Sequence, residues 1–340
     1  METSFFKENN LSEAAKLIQA GELVAFPTET VYGLGADALN EEAVKKVYAA
    51  KGRPSDNPLI VHIARREELE SLVAEIPAIA EPLIKKFWPG PLTLIFKAKP
   101  GVFSTSVTAG LESVAIRMPD NSLTLKLIQL AERPLVGPSA NTSGRPSPTS
   151  AEHVYHDLEG KIAGIIDGGA TGIGLESTVL DLTSPENPLI LRPGAITQQD
   201  LKEVLGKDVT YDHHLIGKEE APKAPGMKYT HYAPEEPVIL VKGTDYNLWR
   251  KAITHYLEQG ETIGILANEE IISKVKSEVE DVFSLGLKAN VNEASHSLYA
   301  GLRFFEKTKV TLILAEAYEI NDNTRAYMNR LEKSAGGKYF

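Results

Sequence analysis

Residues Phe26–Ala64 read FPTETVYGLGADALNEEAVKKVYAAKGRPSDNPLIVHIA. An apolar run closes at Phe26, and a polar, glycine-containing turn follows. Helical periodicity then covers Glu41–Ala50 with Asn40 as its cap, and a second apolar run occupies Leu59–Ile63. Strand, turn, helix and strand in that order predict an α/β unit. Lys51 and Arg53 straddle Gly52 where the helix runs out, and His62 lies inside the second strand. Two cations on one loop, beside Thr28, Thr30 and Tyr32, describe a pocket for a small polyanion and point to an enzyme. Lys51 alone has a structural alternative, because a cation in the last helical turn offsets the macrodipole and glycine is the common cap. The pair reads differently: arginine offers a fork to two phosphate oxygens and lysine a point charge.

Outward from this stretch, apolar runs bounded by turn residues predict strands at Leu23–Phe26, Leu92–Phe96, Val114–Ile116, Leu135–Val136, Ile162–Ile166, Val179–Leu182 and Leu189–Leu191. Helical spacing fits Ser12–Ala20, Ile79–Phe87, Leu123–Ala131 and Gln199–Leu205. Asn10 and Glu13 have capping-box spacing for the first helix, with Gly21 as its stop. Some strands follow others with no helix between them, which predicts a twisted mixed sheet.

Residues Asp212–Pro237 break this pattern with proline, glycine and charge and no sustained period. Such composition reads as a tether, yet Met227, Tyr229, His231 and Tyr232 are unusual in a solvated spacer. Packing against a domain explains them, and so does covering an active site. Beyond Pro237, strands at Val238–Val241, Thr262–Leu266, Val282–Leu285 and Val310–Leu314 alternate with helices near Tyr246–Glu258, Glu269–Val279, Asn292–Lys307 and Thr324–Lys333. The expected fold is therefore α/β, in two domains joined by a linker. Residues 1–211 form a mixed-sheet domain, 212–237 the linker, and 238–340 a smaller, doubly wound parallel domain of Rossmann-like type. The first turn of that last domain, Lys242-Gly243-Thr244-Asp245, lacks the glycine fingerprint of dinucleotide binding.

The 340 residues are 42% hydrophobic and 24% charged, ordinary for a soluble protein able to bury its own core. Absence of cysteine excludes disulfides, thiolate metal sites and cysteine nucleophiles, and fits a cytoplasmic location. The first residues lack a signal-peptide build, and no apolar run approaches the ~18 residues of a membrane helix. Net charge is −10, of which residues 237–340, with 13 basic and 14 acidic side chains, hold −1 and the front of the chain −9. Indiscriminate nucleic-acid binding is disfavoured, and an anion site in the front half must be a local concentration of cations.

Ser139-Ala140-Asn141, followed by Thr142, Ser143, Gly144 and Ser147, sits where a strand ends. It reads as a ligand loop or as ordinary turn chemistry. Arg117 ends a short strand, as edge protection or an anion contact. Asp167 to Thr178 is glycine-rich without being a P-loop, and Ser177 and Thr178 are donors there. Arg192 closes another strand. His62 is a core histidine or a site residue. No zinc-protease motif and no nucleophile elbow occurs. Cations, hydroxyls and amides without an evident nucleophile suit phosphoryl or nucleotidyl transfer, in which reactants are held together and phosphate charge is stabilised.

At PTETVYGLG (Pro27–Gly35), KGRPSDNPLIVHI (Lys51–Ile63), SVAIRMP (Ser113–Pro119), PSANTSGRPSPT (Pro138–Thr149), STVLDL (Ser177–Leu182) and LRPGAI (Leu191–Ile196) the chain resembles the YrdC-like family. APGMKYTHYAP (Ala224–Pro234) and the appended domain resemble its long, two-domain form. The resemblance implies that L-threonine, bicarbonate and ATP yield threonylcarbamoyl-AMP and pyrophosphate. The product then passes to a separate tRNA threonylcarbamoyl transferase complex, which modifies an adenosine beside the anticodon of ANN-decoding tRNAs. It also implies Mg2+ carried with ATP by phosphates and water, with no protein side chain as metal ligand. By that analogy Lys51 and Arg53 are catalytic. Together with Asn57, Ser113, Ser139, Asn141, Ser147 and Arg192 they face ATP, with Tyr229 or Tyr232 closing over the nucleotide. Thr30, His62, Arg117 and Ser177 surround L-threonine, with Arg117 on its carboxylate. Thr230 stands where the family commonly has arginine.

Two other readings remain at this level. One is an RNA-binding module, whose weak tRNA contact would depend steeply on salt. The other is a carbamoyltransferase with a YrdC-like domain and a different acceptor. No membrane partner is expected.

Overall fold

The computed structural model describes residues 2–212, 232–288 and 290–340. These divide into two compact units. The first comprises 2–143, 148–172 and 176–212, and the second 144–147, 173–175 and 232–340. The predicted division into 1–211 and 238–340 therefore differs at two short loops that pack with the second unit.

In chain order the first unit contains strands β1 (Ser4–Phe6), β2 (Val24–Phe26), β3 (Gly33–Asp37), β4 (Ile60–His62), β5 (Leu92–Lys97), β6 (Ser113–Arg117), β7 (Leu135–Val136), β8 (Gly164–Ile166), β9 (Thr178–Asp181), β10 (Leu189–Arg192) and β11 (Thr210–Tyr211). They form one mixed sheet in the order β1-β8-β2-β3-β7-β4-β6-β5-β9-β10-β11. Parallel pairs such as β4 with β6 and β5 with β9 alternate with antiparallel ones such as β5 with β6 and β4 with β7. Because side chains alternate along a strand, one face contributes Val61, Leu94, Phe96, Val114, Ile116 and Leu180 to the main core. The opposite face carries a small separate cluster of Ile60, Ile95, Ala115, Val179 and Leu191. On that second face alternation also places Thr93, Ser113 and Arg117.

Helix Glu41–Lys51 starts where Asn40 accepts hydrogen bonds from the backbone of Glu42 and Ala43. It stops at Gly52, which takes the left-handed conformation that glycine adopts without a side-chain clash (φ 62°). The predicted capping box of the first helix does not form. Asn10 has no side-chain bond to Leu11–Gln19 and instead accepts from the backbone of Lys7, closing a preceding 3-10 turn. Gly33–Asp37, predicted as part of a turn, is a fully buried strand. Glycine is depleted from strands, but here the Phe26 ring lies across the β2–β3 pair. A Cβ at Gly33 would come within 2.7 Å of Phe26 Cζ. Helix Ala151–Leu158 and strands β1 and β11 are also additions to the predicted elements.

The second unit holds β12 (Val238–Lys242), β13 (Ile263–Ala267), β14 (Asp281–Ser284) and β15 (Leu312–Ala317), all parallel, in the order β12-β15-β13-β14. Helices Tyr246–Glu258 and Glu269–Val275 cover one face through Trp249, Ile253, Ile271 and Val275. The helix Val291–Phe305 packs on the sheet so closely that a Cβ on its Gly301 would lie 2.4 Å from Leu266. This is the expected parallel α/β architecture. Among the described residues no helix is long and apolar enough to cross a membrane.

Candidate functional site

Two groups of polar side chains occupy the first unit. The first is centred on Lys51, the last residue of helix Glu41–Lys51 and only 2% exposed. Its ammonium donates to the carbonyl oxygens of Ser139 and Asn141, the latter at 2.7 Å, and to Asn141 Oδ1 at 3.4 Å. The backbone amide of Ser143 in turn donates to the Lys51 carbonyl (2.8 Å). Leu34 and Ala140 donate to Pro138 and Tyr32, so the 138–143 loop is bonded to both the helix end and β3. Arg53 donates to the carbonyls of Asn57 and Pro58, each at 3.3 Å. Asn57 is buried, and its Oδ1 has no hydrogen-bond partner among the described residues. Lys51, Arg53, Asn57, Ser139 and Asn141 thus come from one continuous set of loop contacts.

Ser113 opens β6 two residues before Ala115, the partner of Ile60. It lines a cavity of about 830 Å3 with Lys97, Lys99, Thr105 and Asp181, and no residue of the Lys51 group lines that cavity. Ser147 is fully buried, but in the loop belonging to the second unit. Tyr232 is also a buried residue of that unit, with its ring 5.3 Å from Tyr299 and 5.9 Å from the Arg330 guanidinium. Tyr229 and Thr230 lie outside the described residues.

The second group is built on the carboxyl end of β6. Arg117, 4% exposed, donates from Nε to Gly90 O (3.2 Å) and from Nη1 to Thr30 Oγ1 (2.9 Å). The Thr30 hydroxyl lies 2.8 Å from Thr28 Oγ1, whose own proton goes to Val31 O (2.6 Å). Arg117 Nη2 approaches Glu29 Oε2 to 2.7 Å, a charge contact without hydrogen-bond alignment. His62 is the register partner of Arg117 across β4 and β6. Its ring meets Phe26 edge-on, with centroids 5.3 Å apart, and packs so closely on Gly137 that any Cβ there would lie 2.6 Å from the imidazole. Burial, and secondarily the Arg117 charge, lowers the His62 pKa to about 3. The ring is therefore neutral at physiological pH.

Ser177 adjoins this group through the sheet. Its hydroxyl lies 2.7 Å from Thr93 Oγ1, and Thr93 is the register partner of Arg117. Arg192 donates from Nε to Ser177 O and from Nη2 to Ser177 Oγ, each at 3.0 Å. Thr30, His62, Arg117, Ser177 and Arg192 are therefore assembled around β4, β6, β5, β9 and β10. The family resemblance groups Arg192 with the phosphate ligands, and two of its hydrogen bonds go to Ser177.

Ser113 and Arg117 bound the two ends of β6, about 13 Å apart at the rise of an extended strand. Glu29, Thr93 and the apolar cluster of Ile60, Ile95, Ala115, Val179 and Leu191 were not singled out from sequence. A threonine alternating with leucines in Leu92–Phe96 was the available signal for Thr93. Among the described residues no group of three or more histidine and acidic side chains is placed to hold a metal ion.

A family profile described as Telomere recombination, covering Sua5, YciO and YrdC, matches residues 16–194. One described as Threonylcarbamoyl-AMP synthase, C-terminal domain, matches 196–336. Threonylcarbamoyl-AMP synthase of Bacillus subtilis is 50% identical over 328 residues, covering 96% of this chain and 93% of the relative. That of Pyrococcus abyssi is 49% identical over 327 residues, covering 95% and 93%. The crystal structure of P. abyssi Sua5 complexed with L-threonine superposes with a TM-score of 0.91 at 45% identity, covering 100% of this chain and 99% of that one. With both profiles matched in order and half the residues shared over nearly the whole length, the chain belongs to the YrdC-like threonylcarbamoyl-AMP synthase family, in its two-domain form.

Proposed function

We infer that this chain joins L-threonine, bicarbonate and ATP into threonylcarbamoyl-AMP and pyrophosphate, the activated intermediate for threonylcarbamoyladenosine in tRNA. The observation that carries this reading is the pairing of two polar groups in the first unit. One is a buried arginine among hydroxyls, suited to an amino-acid carboxylate. The other is a lysine-held loop suited to phosphates. The names of the B. subtilis and P. abyssi relatives support it.

The reaction needs no side-chain nucleophile. Threonine's neutral amine attacks the carbon of bicarbonate, and carbamate and water result. A carbamate oxygen then attacks the α-phosphorus, forming the new P–O bond as the bond to pyrophosphate breaks. Arg117 holds the threonine carboxylate, and Thr30, neutral His62 and Ser177 complete that subsite. Lys51 and Arg53, with Asn57, Ser139 and Asn141, orient the phosphates. Mg2+ carried with ATP would neutralise charge on the phosphates, leaving Lys51 and Arg53 to orient them. In this reading residues 1–211 carry the chemistry in the cytoplasm, and a tRNA-modifying transferase consumes the product.

The test is incubation with ATP, Mg2+, bicarbonate and labelled threonine. A labelled adenylate and stoichiometric pyrophosphate are expected. Valine, lacking the hydroxyl, is expected to be nearly inert, whereas serine, lacking only the methyl, loses about 1–3 kcal/mol of discrimination. Equal turnover of all three would contradict the threonine assignment.

A further inference from the structure

Glu29 has no place in the mechanism above, yet it is a buried carboxylate set against Arg117. It lies on the loop between β2 and β3, next to Thr30, with its side chain 13% exposed. Both carboxylate oxygens are buried and have no hydrogen-bond partner among the described residues. Arg117 Nη2 is likewise without an aligned acceptor, although it lies 2.7 Å from Glu29 Oε2. An unfilled buried carboxylate is costly unless something occupies its acceptor positions. Arg117 is fixed by Gly90 and Thr30 and cannot turn to fill them without losing those bonds.

A fixed cation beside an under-satisfied carboxylate is the complement of an α-amino acid zwitterion. The guanidinium takes the carboxylate and the carboxylate takes the ammonium. We propose that Glu29 is a catalytic residue that receives the ammonium of L-threonine and removes one proton from it. The proposal rests on the activity inferred above. At neutral pH an α-amino group is mainly protonated and has no lone pair to attack with. Transfer of one proton to a Glu29 oxygen leaves a neutral amine and a carboxylic acid. The amine then combines with bicarbonate to give carbamate and one water with no further net proton, and the acid later returns its proton to solvent. The charged and titratable groups on this pair are Arg117 from β6 and, beside it, His62 from β4. His62, shut away in its neutral form, does not compete for the proton.

The test compares wild type, Glu29→Gln and Glu29→Asp in two reactions. Forward synthesis is followed with labelled threonine across about pH 6.5 to 9.5. Pyrophosphorolysis of threonylcarbamoyl-AMP, which starts from the carbamoyl group already made, is followed as ATP formation. In Glu29→Gln, forward synthesis near neutral pH is expected to fall about 100-fold or more. It should recover roughly tenfold per pH unit as free threonine amine appears. Pyrophosphorolysis should stay within a few-fold of wild type. Glu29→Asp, with its carboxylate withdrawn by one methylene, should slow forward synthesis about tenfold with a wild-type pH profile. Its result stands alone if the glutamine variant does not fold. An unchanged forward rate, or equal losses in both directions with an unaltered pH profile, overturns the proposal in favour of mere support for Arg117. If wild type itself forms no labelled adenylate, the inferred activity fails, and the proposal with it.

Discussion

The two cations that organise the first unit are equally buried and differently employed. Lys51 gives its ammonium to oxygens of the Ser139–Asn141 loop, so it holds backbone in place. Arg117 is anchored through Nε and Nη1, while Nη2 faces a carboxylate without making an aligned bond. One charge is spent on backbone oxygens, and the other keeps one buried N–H group without an aligned acceptor among the described residues. Burial alone does not separate these roles; the direction of the remaining N–H bonds does.

The largest expected effect follows from Lys51. Lys51→Ala removes a donor from carbonyls that have little access to solvent, and each such orphaned group costs about 1–3 kcal/mol. A loss of about 3 kcal/mol in urea unfolding is expected together with a roughly 1,000-fold fall in turnover, because the loop that bears Ser139 and Asn141 loses its anchor. Loss of turnover with unchanged stability would mean that Lys51 acts on substrate alone, and the contrast with Arg117 would collapse.

Arg117→Lys probes the other side. The charge near Glu29 survives, but the planar fork does not, and lysine does not replace arginine where geometry matters. The expected outcome is a KM for threonine raised roughly 10–100-fold, with the KM for ATP nearly unchanged. Steady-state kinetics with each substrate varied in turn would show it. A rise in the ATP constant instead would place phosphate, not carboxylate, on this arginine.

Much of this arrangement is legible in the chain because it follows from local rules. Asn40 and Gly52 bracket a helix as cap and stop, and that placement alone delivers Lys51 to the 139–141 loop. Alternation along Ser113–Arg117 puts Arg117 on the face opposite Val114 and Ile116. What stayed hidden depends on contacts between distant segments. Gly33–Asp37 reads as a turn until the Phe26 ring is seen to require glycine opposite it. Glu29 resembles any exposed turn acid until Arg117, 88 positions later in the chain, is found 2.7 Å away. Arg192 was grouped with phosphate ligands by the family resemblance, and its hydrogen bonds to Ser177 emerge only when β9 and β10 are seen to pair.

The smallest expected effect concerns His62, and it tests whether the Arg117 end is closed to protons. His62 in the folded chain has a pKa near 3, below the ~6.5 of an unfolded chain. Between these values the unfolded chain binds a proton that the folded one refuses. The contribution of neutral His62 is thus fully present above about pH 6.5 and declines as pH falls toward 3, at roughly 1.4 kcal/mol per pH unit. Urea unfolding of wild type and His62→Asn at pH 7, 6 and 5 (about one unit apart on that scale) isolates the term. The wild-type slope should be steeper by about one proton, whatever the variant's absolute stability. Equal slopes would mean that the imidazole takes up its proton without unfolding. The Arg117 end would then be open to solvent protons, and a carboxylate base beside it would gain nothing from isolation.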